Sequence, residues 1–290
     1  MARLSETTPT SRHPWLWALA LLFMVVAAIY QRATGPTYPK RAQVELAGKT
    51  HRFKLVRSQT TTSEARVTMP ELGPGVVAKL VFRRFPTPEP WTSVDLKPES
   101  GEWAAYLPKQ PAAGKLEYHL ELSTPEGLKR IPAREEIRLR YKDPVPGPLL
   151  IAHVICMFFG VLFGLRTGLE ALFDAPKLAR LALETLALLT VGGMILGPLV
   201  QKYAFGALWT GWPYGYDLTD NKTLIMWLVW IAACAVMFKG ARNAKRWAAF
   251  LAALSMAIVY VIPHSARGSQ LDYSKVQQGV DAKQAVTTGK

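Results

Sequence analysis

The chain has 290 residues, half of them hydrophobic, two cysteines and a formal net charge of +14. That length allows about two domains. Cys156 and Cys234 both lie in apolar blocks, with no CxxC, no CxxCH and no disulfide spacing, which excludes a disulfide scaffold and a c-type haem attachment site.

Residues 1–13 form a short N-terminus carrying Arg3 and Arg12, and the first apolar block is PWLWALALLFMVVAAIY, residues 14–30. A helix rises about 1.5 Å per residue and a bilayer core is about 30 Å thick, so a span needs about 20 apolar residues. The block is short enough to compete as a signal peptide. Gln31-Arg32-Ala33-Thr34 follows it with no small-x-small cleavage site, and tryptophans open it, so it is expected to remain as transmembrane helix 1. Four more blocks follow at 148–165, 181–200, 223–238 and 247–262, giving a four-helix transmembrane module over 148–264.

Lys and Arg near the span ends set the orientation. The loop between blocks four and five holds Lys239, Arg242, Lys245 and Arg246 with no acid. The loop between blocks two and three holds Arg166, Lys177 and Arg180. The loop between blocks three and four has only Lys202 and Lys222, balanced by Asp217 and Asp220. The N-terminus is therefore expected in the cytoplasm, and residues 37–143 and the C-terminal tail outside, which for a bacterium means the periplasm. The basic excess then reads as topology and lipid contact, so no nucleic-acid partner is expected.

Residues 41–141 alternate polar and apolar, as in Arg52-Phe53-Lys54-Leu55-Val56 and Lys115-Leu116-Glu117-Tyr118-His119-Leu120-Glu121-Leu122. Strand-like runs recur every 8–12 residues or so between Pro and Gly clusters, which predicts an antiparallel β-sandwich over 37–143. The stretch GEWAAYLPKQPAAGKLEYHLEL (101–122) resembles a pattern common in immunoglobulin-like domains of bacterial extracytoplasmic proteins: a strand, a proline turn, then an alternating strand. The resemblance implies a docking or bracing domain and no chemistry. His51 and His119 are read as solvent-facing or edge residues on strands.

The loop FGALWTGWPYGYDLTDNKTLIMWLVW (205–230) is dense in Trp, Tyr and Gly. Trp209, Trp212, Tyr214 and Tyr216 fit an aromatic belt at headgroup level, and Thr219 or Asp220 can cap the next helix. A second reading stays open. His153 lies near the outer start of block two and His264 follows Pro263 at the outer end of block five, both on the face expected to carry the aromatic loop. Histidine is a common haem ligand. The arrangement resembles the haem-handling membrane proteins of cytochrome c biogenesis, in which a tryptophan-rich outer loop joins two spans and outer histidines flank it. Residues 206–209 and 212–217, followed by Trp227-Leu228, echo that loop, and His153 and His264 take the flanking places. This loop is shorter, has tyrosines where the family has tryptophans, and contains Pro213; a sixth span is missing and a β domain precedes the first histidine. The resemblance implies a haem, or a quinone, held by His153, His264, Trp209, Trp212, Tyr214, Tyr216 and Asp217, for electron transfer or cytochrome assembly.

Glu184 sits four residues after Arg180, the spacing of a helical ion pair near the interface. Met157, one turn after His153, reads as core or lipid-facing. Gly160, Gly164 and Gly168, and Gly192, Gly193 and Gly197, predict close helix packing within the chain or with a partner. There is no P-loop, GxSxG, HExxH or GxGxxG, so nothing points to a particular enzyme. No Asp, Lys or Arg is expected well inside a span. Residues 265–290 are polar and aperiodic and are expected to be disordered. The reading is a multi-pass bacterial inner-membrane protein, an α-helical bundle with an inserted immunoglobulin-like sandwich. It would act as an accessory or structural subunit docking membrane or periplasmic partners through the β domain and the glycine faces, or alternatively as a haem protein.

Overall fold

Five helices are long and apolar enough to cross a membrane: α1 (Trp15–Thr34), α2 (Gly147–Leu172), α3 (Leu178–Phe205), α4 (Leu218–Lys239) and α5 (Arg242–Val261). The computed structural model describes residues 13–46, 48–173, 177–263 and 268–288. The chain divides into two units, one helical and one built on β-sheets.

The helical unit comprises the described residues of 13–33, 147–198 and 220–263. Its interior is Val161 of α2, Ala182 and Leu189 of α3, Trp230 and Cys234 of α4, and Ala249, Ala252 and Met256 of α5, with Ala20, Met24 and Ala27 contributed by α1. Trp230 is fully buried. The outward faces are equally apolar: Leu22, Val26, Ile29, Ile151 and Ile258 are all exposed. Such helices are apolar all round because both their inside and their outside avoid charge.

The glycines of α2 are spent within this unit. A Cβ at Gly164 would lie 2.5 Å from Met256 Sδ and 3.1 Å from the Trp230 ring, and one at Gly168 would collide with Ala253 Cβ. Missing side chains thus allow α2 and α5 to approach closely. Gly192 does the same between α3 and α2, where an added Cβ would stand 2.7 Å from Cys156 Cβ. The helix α3 is not uniform: Thr190–Leu196 forms a π-helical segment containing Gly192 and Gly193.

The second unit comprises 34–146, 199–219 and the described part of the chain from 268. Its strands are β1 (Lys40–Leu46), β2 (Lys49–Leu55), β3 (Ser58–Thr60), β4 (Ala65–Pro70), β5 (Val77–Phe85), β6 (Thr92–Asp95), β7 (Lys97–Glu99), β8 (Glu102–Leu107), β9 (Lys115–Thr124), β10 (Gly127–Ile131) and β11 (Ile137–Lys142). One sheet runs β3-β11-β9-β5-β6, with β10 also on β9; another runs β4-β8-β7; β1 and β2 form a hairpin. The strand β9 is central. It pairs with β5 on one side, and with β11 and β10 in succession on the other. Leu116, Tyr118, Leu120 and Leu122 of β9 join Val67, Met69 and Leu107 of the three-stranded sheet and Leu46 and Leu55 of the hairpin in one core.

The polar face of β9 differs from expectation. His119 is buried, not solvent-facing. Its Nδ1 lies 2.9 Å from Glu136 and its Nε2 3.3 Å from Glu121, and its ring packs edge-on to Trp91. A central strand has neighbours along both edges, so its polar residues are flanked on their own face by side chains from β5 and from the chain entering β11. Glu117 is covered in the same way, 2.6 Å from Arg83.

The C-terminal segment also departs from the expectation of disorder. Residues 268–288 carry β12 (Gln270–Leu271), α6 (Tyr273–Gln277) and β13 (Val286–Thr287), with β12 and β13 paired. Leu271, Tyr273 and Ala285 form a small core of their own. Asp272 caps α6 by accepting from the Ser274 and Lys275 amides. The Tyr273 hydroxyl accepts from the Lys115 amide at 3.1 Å, and the Leu271 amide donates to the Ala113 carbonyl. The segment has too few apolar residues to fold by periodicity and gains order from the surface of β9 and its preceding turn.

Candidate functional site

In the helical unit the best-defined polar feature outside the ion pairs is His153 on α2. Its Nδ1 lies 2.9 Å from the Gly192 carbonyl oxygen in the π segment of α3. A carbonyl only accepts, so Nδ1 carries the hydrogen and Nε2 holds the lone pair. The same oxygen accepts the Gly197 amide in the π-type i→i+5 pattern, and its second lone pair takes the histidine. The glycines at 192 and 193 permit it, because the α2 backbone and Thr223 stand where their side chains would be. Two residues earlier, Thr190 Oγ1 accepts from the Trp227 indole at 2.9 Å. Met157 packs over Gly192, with its Sδ 3.2 Å from a Cβ built there.

A second polar feature was missed in the sequence. The helix α2 continues seven residues beyond the expected apolar block, so Arg166 and Glu170 lie inside a span-length helix and not in a loop. Both are buried and form an ion pair at i, i+4, with the Arg166 guanidinium 5.5 Å over the Trp17 ring. The spacing was the available signal, the same one that identified Arg180 and Glu184, which pair at 2.8 Å.

The aromatic loop belongs to the β unit together with residues 34–146. Its scaffold is Asp217, buried, which accepts from the Thr219 amide at 2.8 Å, the Ser269 amide at 3.1 Å and the Thr210 hydroxyl at 3.2 Å. The Thr210 hydroxyl also accepts from Gln201 at 2.6 Å. Arg140 of β11 donates to the Ser269 carbonyl at 2.8 Å and stacks 4.1 Å over Phe205. Burial pushes the Arg140 guanidinium down to about 10, opposed by Asp217, so it stays charged at neutral pH. Nearby Lys115 is pushed down to about 8, by burial first and then by the charges of Arg140 and Arg138. Burial raises the Tyr273 hydroxyl.

With its base fixed, the loop presents its rings outward. Trp209 Nε1 donates to the Trp212 carbonyl at 3.0 Å. Trp212 is 65%, Tyr214 82% and Tyr216 80% exposed. Of the residues expected to hold a cofactor, Trp209, Trp212, Tyr214, Tyr216 and Asp217 therefore fall in one loop, with Asp217 serving as its internal anchor. His153 falls in the helical unit, and His264 lies outside the described residues. Among the described residues no group of three or more His, Cys, Asp or Glu side chains gathers as for a metal ion. No protein-family model matches the chain, and no curated protein matches it significantly.

Proposed function

We propose that this chain is a multi-pass membrane protein that acts as an accessory or structural subunit, docking a partner protein through the β unit and its aromatic loop. The observation that carries this is the loop itself. Three large exposed rings sit on a backbone held by a buried carboxylate, and rigid Trp and Tyr anchors lose little entropy on binding. Membrane residence is supported by the exposed Leu, Ile and Val on all five long helices, which a water-facing surface would not carry as continuous bands. The basic loop with Lys239, Arg242, Lys245 and Arg246 supports a cytoplasmic N-terminus and a periplasmic β unit in a bacterial inner membrane. The two sheets and hairpin around one core suit an immunoglobulin-like sandwich, a common docking module. The glycine faces of α2 and α3 take no part in this docking, since they are occupied by the chain's own helices. The test is purification in mild detergent. A partner should co-purify at stoichiometric yield, and a Trp212→Ala, Tyr214→Ala, Tyr216→Ala variant should lose it while keeping the wild-type melting curve. A wild-type protein that migrates alone, or a triple variant that retains the partner, overturns the proposal.

A second reading is haem handling, favoured by one observation: the His153 Nδ1–H is held by a backbone carbonyl, the usual second contact of a metal-bound imidazole, which leaves Nε2 to ligate. A Soret band after haem supplementation that weakens in both His153→Ala and His264→Ala supports it. Absence of the band in wild-type protein rules it out.

A further inference from the structure

Between α1, α2 and α3 the helical unit contains a cavity of about 290 Å³, close to the lower end of small-ligand sites, about 300 Å³. Its polar lining is Arg166, Glu170, Lys177, Arg180 and Glu184, beside the Trp17 ring. Glu170 is paired with Arg166 and Glu184 with Arg180, and among the described residues Lys177 pairs with no carboxylate. Among the described residues three cations thus face two carboxylates, a surplus of one positive charge. The first turn of α3 adjoins it and has no side-chain cap at Lys177, so its amide ends add a partial positive charge. Arg166 is only 2% exposed, which places a guanidinium where water screens it least.

The depth of the cavity is fixed by the helices. Arg166 lies six residues before the end of α2, roughly 9 Å at 1.5 Å per residue, and Trp17 and Leu178 are at the starts of α1 and α3. If α2 spans the membrane, this is headgroup depth on the side of the basic loops. A cavity whose described lining has a surplus positive charge, a guanidinium and an ammonium beside a helix N-terminus is neutralised by a singly charged phosphodiester better than by a neutral or cationic group. The apolar wall formed by Trp17, Phe163 and Leu181 suits the carbon skeleton attached to such a phosphate.

We propose that this cavity binds a phosphate-ester anion, supplied either by the headgroup of an anionic lipid or by a soluble phosphate ester. The inference rests on the membrane reading above, but not on the docking role. The test uses the full chain in mild detergent, titrated with phosphatidylglycerol, phosphatidylcholine and glycerol 3-phosphate, with bound lipid read by native mass spectrometry and stabilisation by melting temperature. Phosphatidylglycerol should bind at least tenfold more tightly than phosphatidylcholine. Lys177→Gln should weaken that binding about fivefold, and Glu184→Gln, which removes a repelling charge and frees Arg180 from its ion pair, should tighten it by about the same factor. An effect of phosphatidylglycerol alone identifies a lipid headgroup, and an equal effect of glycerol 3-phosphate identifies a soluble ester. Equal binding of both lipids with no effect of glycerol 3-phosphate overturns the proposal, as does phosphatidylglycerol binding that neither variant alters. Recovery of the chain in the soluble fraction of cells would instead overturn the membrane reading beneath it.

Discussion

Asp217 and Lys115 have opposite effects on the β unit. Asp217 satisfies two backbone amides and faces the buried Arg140 across Gly268. Asp217→Ala removes those acceptors and leaves a buried cation less compensated, so it should lower stability by about 2–4 kcal/mol in denaturant melts, with Asp217→Asn losing less. Lys115 is held charged in a site that disfavours charge. Its pKa is about 8 in the folded chain against 10.5 for an ordinary lysine, so between those values the unfolded chain binds the extra proton. Stability should therefore rise with pH from about 8 to 10, and the charged ammonium should cost roughly 1–3 kcal/mol at pH 7. Lys115→Met should raise the melting temperature at pH 7 and flatten that rise; an unchanged slope would dismiss the assignment. In the helical unit, Glu170→Gln removes the carboxylate that pairs with the buried Arg166, and should cost about 3–5 kcal/mol in a detergent melt, against a small change for Glu184→Gln at its more exposed pair.

Among the elements, α2 carries the most information. Its Gly160, Gly164 and Gly168 row was visible as a packing face, but a sequence does not say what packs there. The partners are Leu189 of α3 and Trp230, Ala253 and Met256 of α4 and α5. Gly168→Val should push α2 from α5 and lower the melting temperature by the equivalent of about 1–3 kcal/mol, without altering recovery of a partner through the aromatic loop. The π segment of α3 had no legible signal, because Thr190–Leu196 reads as ordinary apolar helix. It becomes meaningful only beside His153. Gly192→Ala should separate α3 from α2 and release the histidine, detectable as a shift in the imidazole titration by NMR. In the sheets, the period-two pattern of β9 correctly placed Leu116, Tyr118, Leu120 and Leu122 on one face. It misjudged His119, because alternation gives the two faces and not whether the second face is open.

At the scale of the molecule, the membrane reading predicts that a reporter enzyme active only in the periplasm works when fused after Thr288, and that one fused in the 239–246 loop does not. The reverse pattern would invert the orientation. Five apolar blocks, their approximate bounds, the β character of 37–143 and the basic loops were all determined by the sequence, since hydropathy and period are local and survive without coordinates. The tertiary structure decided which residues share a unit. It drew the aromatic loop and the C-terminal segment to the β unit and assigned the glycine rows to the chain's own helices. It turned Arg166 and Glu170 from loop residues into a buried pair, and it showed Asp217 holding the aromatic loop to the Ser269 amide. Apart from the i, i+4 pairing of Arg166 with Glu170, these depend on contacts between residues tens to more than a hundred positions apart, where burial and pairing energies are set by neighbours that no local pattern names.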